Sequence, residues 1–242
     1  MDKHALREQI WDALEDGGHA RFPFPPHGRI PNFAEADVAA DRVAHLEAWT
    51  TAGVLKCNPD APQLPIRRMA LRAGKTVYMA VPRLREKQCF LRLDPACIDD
   101  FDRAATISGS SEVGHHVGPK AVEPIDLIVT GSVAVNEAGA RVGKGEGYSD
   151  LEFAILREHG LVSNDTTTVT TVHEVQVVTE KIPTTPQDVP IDWIATPDRT
   201  IKTVAPTRKP ERIDWDVLDP DRIVEIPILQ ELQGQGETGD EP

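Results

Sequence analysis

The decapeptide Arg141-Val142-Gly143-Lys144-Gly145-Glu146-Gly147-Tyr148-Ser149-Asp150 gathers the residue types of a phosphate site: alternate glycines, two cations and two acids. Glycines at that spacing leave backbone N–H groups uncovered. Behind them, Leu151, Phe153, Ala154 and Ile155 open an amphipathic run that stops at Gly160. It predicts a helix from about Ser149, with Ser149 and Glu152 as its capping box. The free N–H groups and positive dipole end of that helix face the loop, so an anion there is stabilised by both, and Lys144 and Arg141 add charge. Two common phosphate motifs fail here. Tyr148 stands where G-x-G-x-x-G needs its third glycine; Gly139 precedes Gly143-Lys144 by one residue too few for a P-loop, whose hydroxyl position holds Gly145. Asp150 either complements the helix dipole or, beside bound phosphates, holds Mg2+ directly or through water.

Such a loop needs a scaffold. Ile125–Val129 and Val133–Val135 are apolar runs too short for helices, bounded by Gly131 and Gly139, which gives the order strand, turn, glycine loop, helix. Asp2–Asp16 reads as a first helix in which Leu6, Ile10, Trp11, Ala13 and Leu14 make one stripe, with Lys3 and Arg7 inside it. Two cations on a buried side need an anion; the helix either presents them to a phosphate or carboxylate, or packs their stems while the heads reach water. A Gly/Pro-rich connection over 17–32 follows. Then come a helix at Ala34–Trp49, a strand at Val54–Cys57, a helix at Arg67–Ala73 with Gly74 as C-cap, and a strand at Thr76–Val81. Thr166–Val178 and Asp192–Thr196 read as further strands. This alternation predicts a three-layer α/β fold, a mostly parallel sheet with helices on both faces, whose ligands collect at the carboxyl ends of the strands. One domain is expected over 1–230, with a disordered acidic tail at 231–242.

Composition narrows the partners. A formal charge of −13 opposes broad nucleic-acid binding, which needs clustered Lys and Arg, and no aromatic RNP-like stretch occurs. Cys57, Cys89 and Cys97 are odd in number and lack C-x-x-C spacing, which suggests neither a disulfide framework nor a zinc site and fits a reducing compartment. No signal-like or membrane-length apolar run is present, so a cytoplasmic protein, monomeric or homodimeric, is expected. His115-His116, flanked by Gly114 and Gly118, reads as an ordinary loop pair, and His173 as a core or pocket-wall histidine.

Gly143-x-Gly145-x-Gly147-Tyr148-x-Asp150, preceded by Arg141 and followed by a helix, resembles the nucleotide loop of the 5-formyltetrahydrofolate cyclo-ligase family. Lys3-x-x-x-Arg7 matches that family's basic pair, Glu123-Pro124 its approach to the strand, and Gln176…Pro183…Asp188 its C-terminal strand and turn. Ile30-Pro31-Asn32-Phe33, Asn58–Gln63 and Thr171–Val178 are similar to its methenyltetrahydrofolate synthetase domain-containing branch. Ser149 replaces the usual second aromatic, and Asn58–Gln63 stands where proven cyclo-ligases carry Glu-x-x-Thr.

The resemblance implies a NagB/RpiA/CoA transferase-like architecture and an ATP- and Mg2+-dependent closure of 5-formyltetrahydrofolate to 5,10-methenyltetrahydrofolate. It places Lys3, Arg7, Gly143, Lys144, Gly145, Gly147 and Tyr148 on the nucleotide, with Lys144 and Arg141 in the chemistry. Tyr148 and Gln176 would meet the folate; Asp150 and Asp188 would hold the metal. A nucleotide- or folate-binding paralogue without turnover, and a ligase for a different pterin, are the alternative readings.

Overall fold

Trp193–Ala195, Thr167–Thr171, Leu127–Thr130, Val54–Cys57 and Thr76–Ala80 lie side by side in that order, every neighbouring pair parallel. The structure is a computed structural model that describes residues 2–204 and 208–237. Antiparallel strands complete the sheet: Thr200–Lys202 on one edge, Phe90–Leu93 and then His115–Val117 on the other. The pair His115-His116 therefore belongs to an edge strand rather than the expected loop. A short edge strand with exposed polar side chains resists pairing with other chains, and both histidines are exposed.

The parallel strands are buried on both faces, which is why Val54–Cys57, Thr76–Ala80 and Leu127–Thr130 are mostly apolar without alternation, while Thr167–Thr171 buries threonines. Leu55, Val77, Leu127 and Val169 meet Ile66, Leu71 and Ile155 of the covering helices in the main core. A second core cluster joins Leu6, Ile10 and Leu14 of the first helix, Lys3–Asp16, to Phe33, Val133 and Val142. Val133 and Val142 belong to the region of a small separate sheet, Val177–Val178, Ala134–Asn136 and Arg141–Val142. The first helix thus packs where the glycine loop begins.

Other elements also differ from the sequence expectation, among them the helix expected over Arg67–Ala73, which runs Leu64–Arg72. The helix expected over Ala34–Trp49 is two helices, Ala36–Ala44 and Glu47–Thr51, because Leu46 turns extended (φ −74°, ψ 142°) and buries its side chain. The strand expected over Thr166–Val178 ends at Thr171; His173 caps a 3-10 turn, Glu174–Gln176, before Val177–Val178 joins the small sheet. Residues 231–237, expected to be disordered, continue the helix Pro227–Glu237, and 238–242 lie outside the described residues. Ile213, Ile226, Ile228 and Leu229, from the C-terminal extension beyond residue 204, are part of the main core.

Candidate active site

A cleft of about 500 Å3 opens where Val54–Cys57, Thr76–Ala80 and Leu127–Thr130 end, lined there by Asn58, Val81 and Gly131. The glycine loop forms its opposite wall. Gly145 (φ +112°) and Gly147 (φ +68°) adopt conformations that side chains disfavour, and Gly143 lies so close to Arg141 that a Cβ would sit 3.2 Å from its guanidinium. The helix behind the loop, Tyr148–Glu158, starts one residue before the expected Ser149 and is preceded by left-handed Gly147 with no side-chain cap. The expected capping box is absent for a physical reason: both its members have stronger partners. Ser149 Oγ shares a hydrogen bond with Thr130 Oγ1 (2.7 Å), and Glu152 points inward to Lys56.

Lys3 and Arg7 both reach the cleft, one turn apart on the first helix. Arg7 Nε donates to the Gly143 carbonyl oxygen (2.6 Å), and burial lowers the pKa of its guanidinium. Lys3 Nζ donates to both carboxylate oxygens of Asp188 (3.0 and 2.9 Å). Arg141, nearly buried, donates to the Gly131 carbonyl (2.9 Å) and to Asp150 Oδ2 (2.8 Å). Asp150 Oδ1 in turn accepts the Val189 N–H (3.0 Å), which ties the two acids of the pair Asp150 and Asp188 to one wall. Lys144 is exposed and rests against Glu146 (2.7 Å). Every one of these side chains lines the same cleft.

Gln176 is the exception. It is fully buried outside the cleft, its amide donating to the Ser132 and Val133 carbonyls (2.9 and 3.1 Å) and its oxygen accepting the His173 N–H (2.7 Å). With those bonds made, the side chain fixes the turn before the small sheet and has no part in the cleft wall. That corrects its assignment to the substrate.

Sequence reasoning missed four participants. Beneath the cleft floor, which Glu152 lines, Lys56 and Glu152 form an ion pair with side chains 1% and 6% exposed, and Lys56 also donates to Asn58 Oδ1 (2.7 Å). Burial pushes the Glu152 carboxyl up, against the opposing pull of Lys56. Asp60 lines the cleft from the Asn58–Gln63 segment; burial raises its carboxyl as well, opposed by Lys144 and Arg67. Arg222, from the C-terminal extension, stacks on the Tyr148 ring at 4.9 Å and donates to the Glu146 carbonyl oxygen. A lysine in the middle of the strand Val54-Leu55-Lys56-Cys57 was a visible signal, since a cation at the centre of a sheet needs a buried partner. Arg222 has no such signature.

The arrangement suits an extended anion. Five cations, Lys3, Arg7, Arg83, Arg141 and Lys144, line the cleft that the helix N-terminus and its glycine loop also line. Among the described residues no group of three or more His, Cys, Asp or Glu could hold a metal ion, and none has a helix long and apolar enough to cross a membrane.

The sequence model of the 5-formyltetrahydrofolate cyclo-ligase family matches residues 1–197. The methenyltetrahydrofolate synthase domain-containing protein of Bos taurus is 41% identical over 243 residues, covering 98% of this chain and 63% of its own length. Its Homo sapiens counterpart is 37% identical over 241 residues, with 97% and 62% covered. The chain therefore spans less than two thirds of the length of these relatives. The NMR structure of Aquifex aeolicus 5,10-methenyltetrahydrofolate synthetase superposes with a TM-score of 0.51 at 18% identity, over 91% of this chain and 98% of that one, a likeness of fold. By its sequence match over most of its length, the chain belongs to the 5-formyltetrahydrofolate cyclo-ligase family.

Proposed function

We propose that the chain closes 5-formyltetrahydrofolate to 5,10-methenyltetrahydrofolate at the expense of ATP, using Mg2+. The observation that carries this reading is the convergence of Lys3, Arg7, Arg141 and Lys144 with the glycine loop in one cleft. In this chemistry the formyl oxygen attacks the γ-phosphorus and ADP departs. N10 then adds to the activated carbon, loses its proton, and phosphate leaves with the original formyl oxygen. No protein nucleophile is required; the work is positioning and charge neutralisation.

The residues divide that work. Gly145 and Gly147 leave N–H groups open to the phosphates, Lys144 follows them as a mobile point charge, and Arg7 holds the loop through the Gly143 carbonyl. Mg2+ ordinarily binds through one or two carboxylates plus substrate phosphates and water. Asp150 and Asp188 fit that mode: they line one wall, and each is compensated by a single cation, Arg141 or Lys3, that phosphate oxygens can engage instead. Bound there, Mg2+ would neutralise charge on the leaving diphosphate. Tyr148 stands between the loop and the strand ends, placed to pack a pterin ring. Asp60 replaces Gln176 as the acceptor for the pterin edge.

The test is the appearance of methenyltetrahydrofolate absorbance when the protein meets 5-formyltetrahydrofolate and MgATP, with ATP-free controls. An ATP-dependent rise supports the reading; ATP binding without product overturns it in favour of the second reading, a ligase for a different pterin. That alternative draws on one observation: in Asn58–Gln63, Asn58 and Gln63 are committed to Lys56 and Thr171, which leaves Asp60 as the segment's acid facing the cleft.

A further inference from the structure

A second cavity, of about 490 Å3, adjoins the first and shares Gly147, Asp150 and Asp188 with it. Leu151 and Ala154 of the glycine-loop helix form one side. Ile213, Val217 and Leu218 of the C-terminal extension form the other, with the Pro186-Gln187 turn between. The extension begins beyond residue 197, where the family match ends, and its helix Pro220–Glu225 carries Arg222 onto the loop.

We propose that this second cavity holds the purine nucleoside end of the nucleotide whose phosphates lie on the glycine loop, so that the C-terminal extension supplies half of the nucleotide site. The inference rests on the ATP reading above and adds the residues that would select the base. Charge decides the direction in which a nucleotide lies. Five cations, Lys3, Arg7, Arg83, Arg141 and Lys144, balance five carboxylates around the first cavity, whereas the second sets Arg222 alone against Asp150, Asp188 and Asp214, the first two shared between the cavities. Arg222 lines the second cavity with its guanidinium engaged by the Tyr148 ring and the Glu146 carbonyl oxygen. Asp214, the carboxylate that the first cavity does not share, repels a phosphate or a folate glutamate tail but accepts hydrogen bonds from ribose hydroxyls or an exocyclic amine. Two apolar walls facing each other suit a flat heterocycle, and a mostly apolar pocket with a few polar groups is the usual form of a small-molecule site. Gly147 lies on both cavities, and a ligand that spans them passes beside the Arg222 guanidinium, 3.5 Å from where a Cβ on Gly147 would sit. The first cavity is then left to the triphosphate and the reduced folate.

Calorimetric titration with MgATP and with magnesium tripolyphosphate separates the two halves of the site. Val217, 69% exposed on the rim, tolerates enlargement without disturbing the core, so Val217→Trp fills the cavity in a folded protein, as a thermal melt would verify. The expected result is that wild type binds ATP more tightly than tripolyphosphate. Val217→Trp should weaken ATP by about tenfold or more through steric exclusion while tripolyphosphate is unchanged. Asp214→Asn, which keeps the shape and removes the charge, should weaken ATP several-fold and tripolyphosphate not at all. Wild type binding tripolyphosphate as tightly as ATP, or both variants retaining ATP affinity, would overturn the nucleoside cavity and leave the phosphate loop intact. Parallel loss of both ligands in Val217→Trp would overturn it too. Wild type binding neither ligand would overturn the ATP reading itself, and this inference with it.

Discussion

Arg222 lies over the face of Tyr148, its guanidinium carbon 4.9 Å from the ring centroid, and donates to the carbonyl oxygen of Glu146. A residue of the C-terminal extension therefore braces the last turn of the glycine loop at two consecutive points, on either side of left-handed Gly147. Removing it frees the loop without opening the core. Arg222→Ala should raise the Kd for MgATP by roughly tenfold, the equivalent of about 1–2 kcal/mol from a cation–π contact and one hydrogen bond. Arg222→Lys should recover little, because an ammonium lacks the planar stack. Unchanged MgATP affinity in both variants, measured by calorimetry, would show that the brace does not reach the nucleotide.

Lys56 and Glu152 meet beneath the cleft floor, nearly dry, and their energetics should be those of a buried pair. Glu152→Ala leaves a lysine ammonium with only Asn58 Oδ1 for company, and a loss of about 3–5 kcal/mol in unfolding free energy is expected. Lys56→Met combined with Glu152→Leu removes both charges and should be more stable than either single variant. Urea denaturation of the full double-mutant cycle measures the coupling. Simple addition of the two single losses would refute it.

Much of this site was legible in the chain, and the reasons are local. The glycine loop, the helix behind it and the pair Lys3 and Arg7 are encoded within short windows, by glycine spacing and helical periodicity, and all appear in one cleft. The strand Val54–Cys57 and the parallel order were readable because buried strands concentrate apolar residues. What failed depends on distant partners. Glu152 satisfies a capping pattern in sequence, yet Lys56 from the central strand draws it inward. Gln176 carries a motif position, yet its amide is consumed by the Ser132 and Val133 carbonyls. Leu46 breaks a helix because its side chain is buried in the core, a demand no local pattern records.

Lys144 and Asp150 should separate binding from stability. Lys144 is exposed and its pair with Glu146 is solvated, so Lys144→Ala should cost at most about 1 kcal/mol of stability. It should nonetheless weaken MgATP markedly. Asp150 is different, because it compensates Arg141, whose side chain is 7% exposed. Asp150→Ala should lower the melting temperature as well as MgATP affinity, and Asp150→Asn should keep more of the fold. If Asp150 holds Mg2+, Asp150→Asn abolishes the gain in ATP affinity that Mg2+ brings and leaves Mg2+-free ATP binding nearly unchanged. Titrations with and without Mg2+ read that difference directly, and an intact Mg2+ effect would remove Asp150 from the metal site.

His173 gives the fold a pH dependence remote from the cleft. Its ring stacks on His19 at a centroid distance of 4.2 Å, and its pKa is lowered, first by burial and then by the neighbouring His19. Lowering the folded-state pKa of a base means that the unfolded chain binds more protons over the interval between the two values, so stability rises with pH there. The contribution is complete above the ordinary histidine value of about 6.5 and is lost as pH falls through the lower folded value. Its Nδ1 also accepts the Val175 N–H (3.3 Å) as the cap of the turn Glu174–Gln176, a bond that protonation at that nitrogen removes. Thermal melts of wild type should therefore fall between pH 7 and 5 (range set by the ordinary histidine value of about 6.5), and His173→Asn, which keeps a capping oxygen and cannot take up a proton, should show a shallower fall. Equal slopes in the two proteins would mean that the stacked pair does not couple protonation to folding.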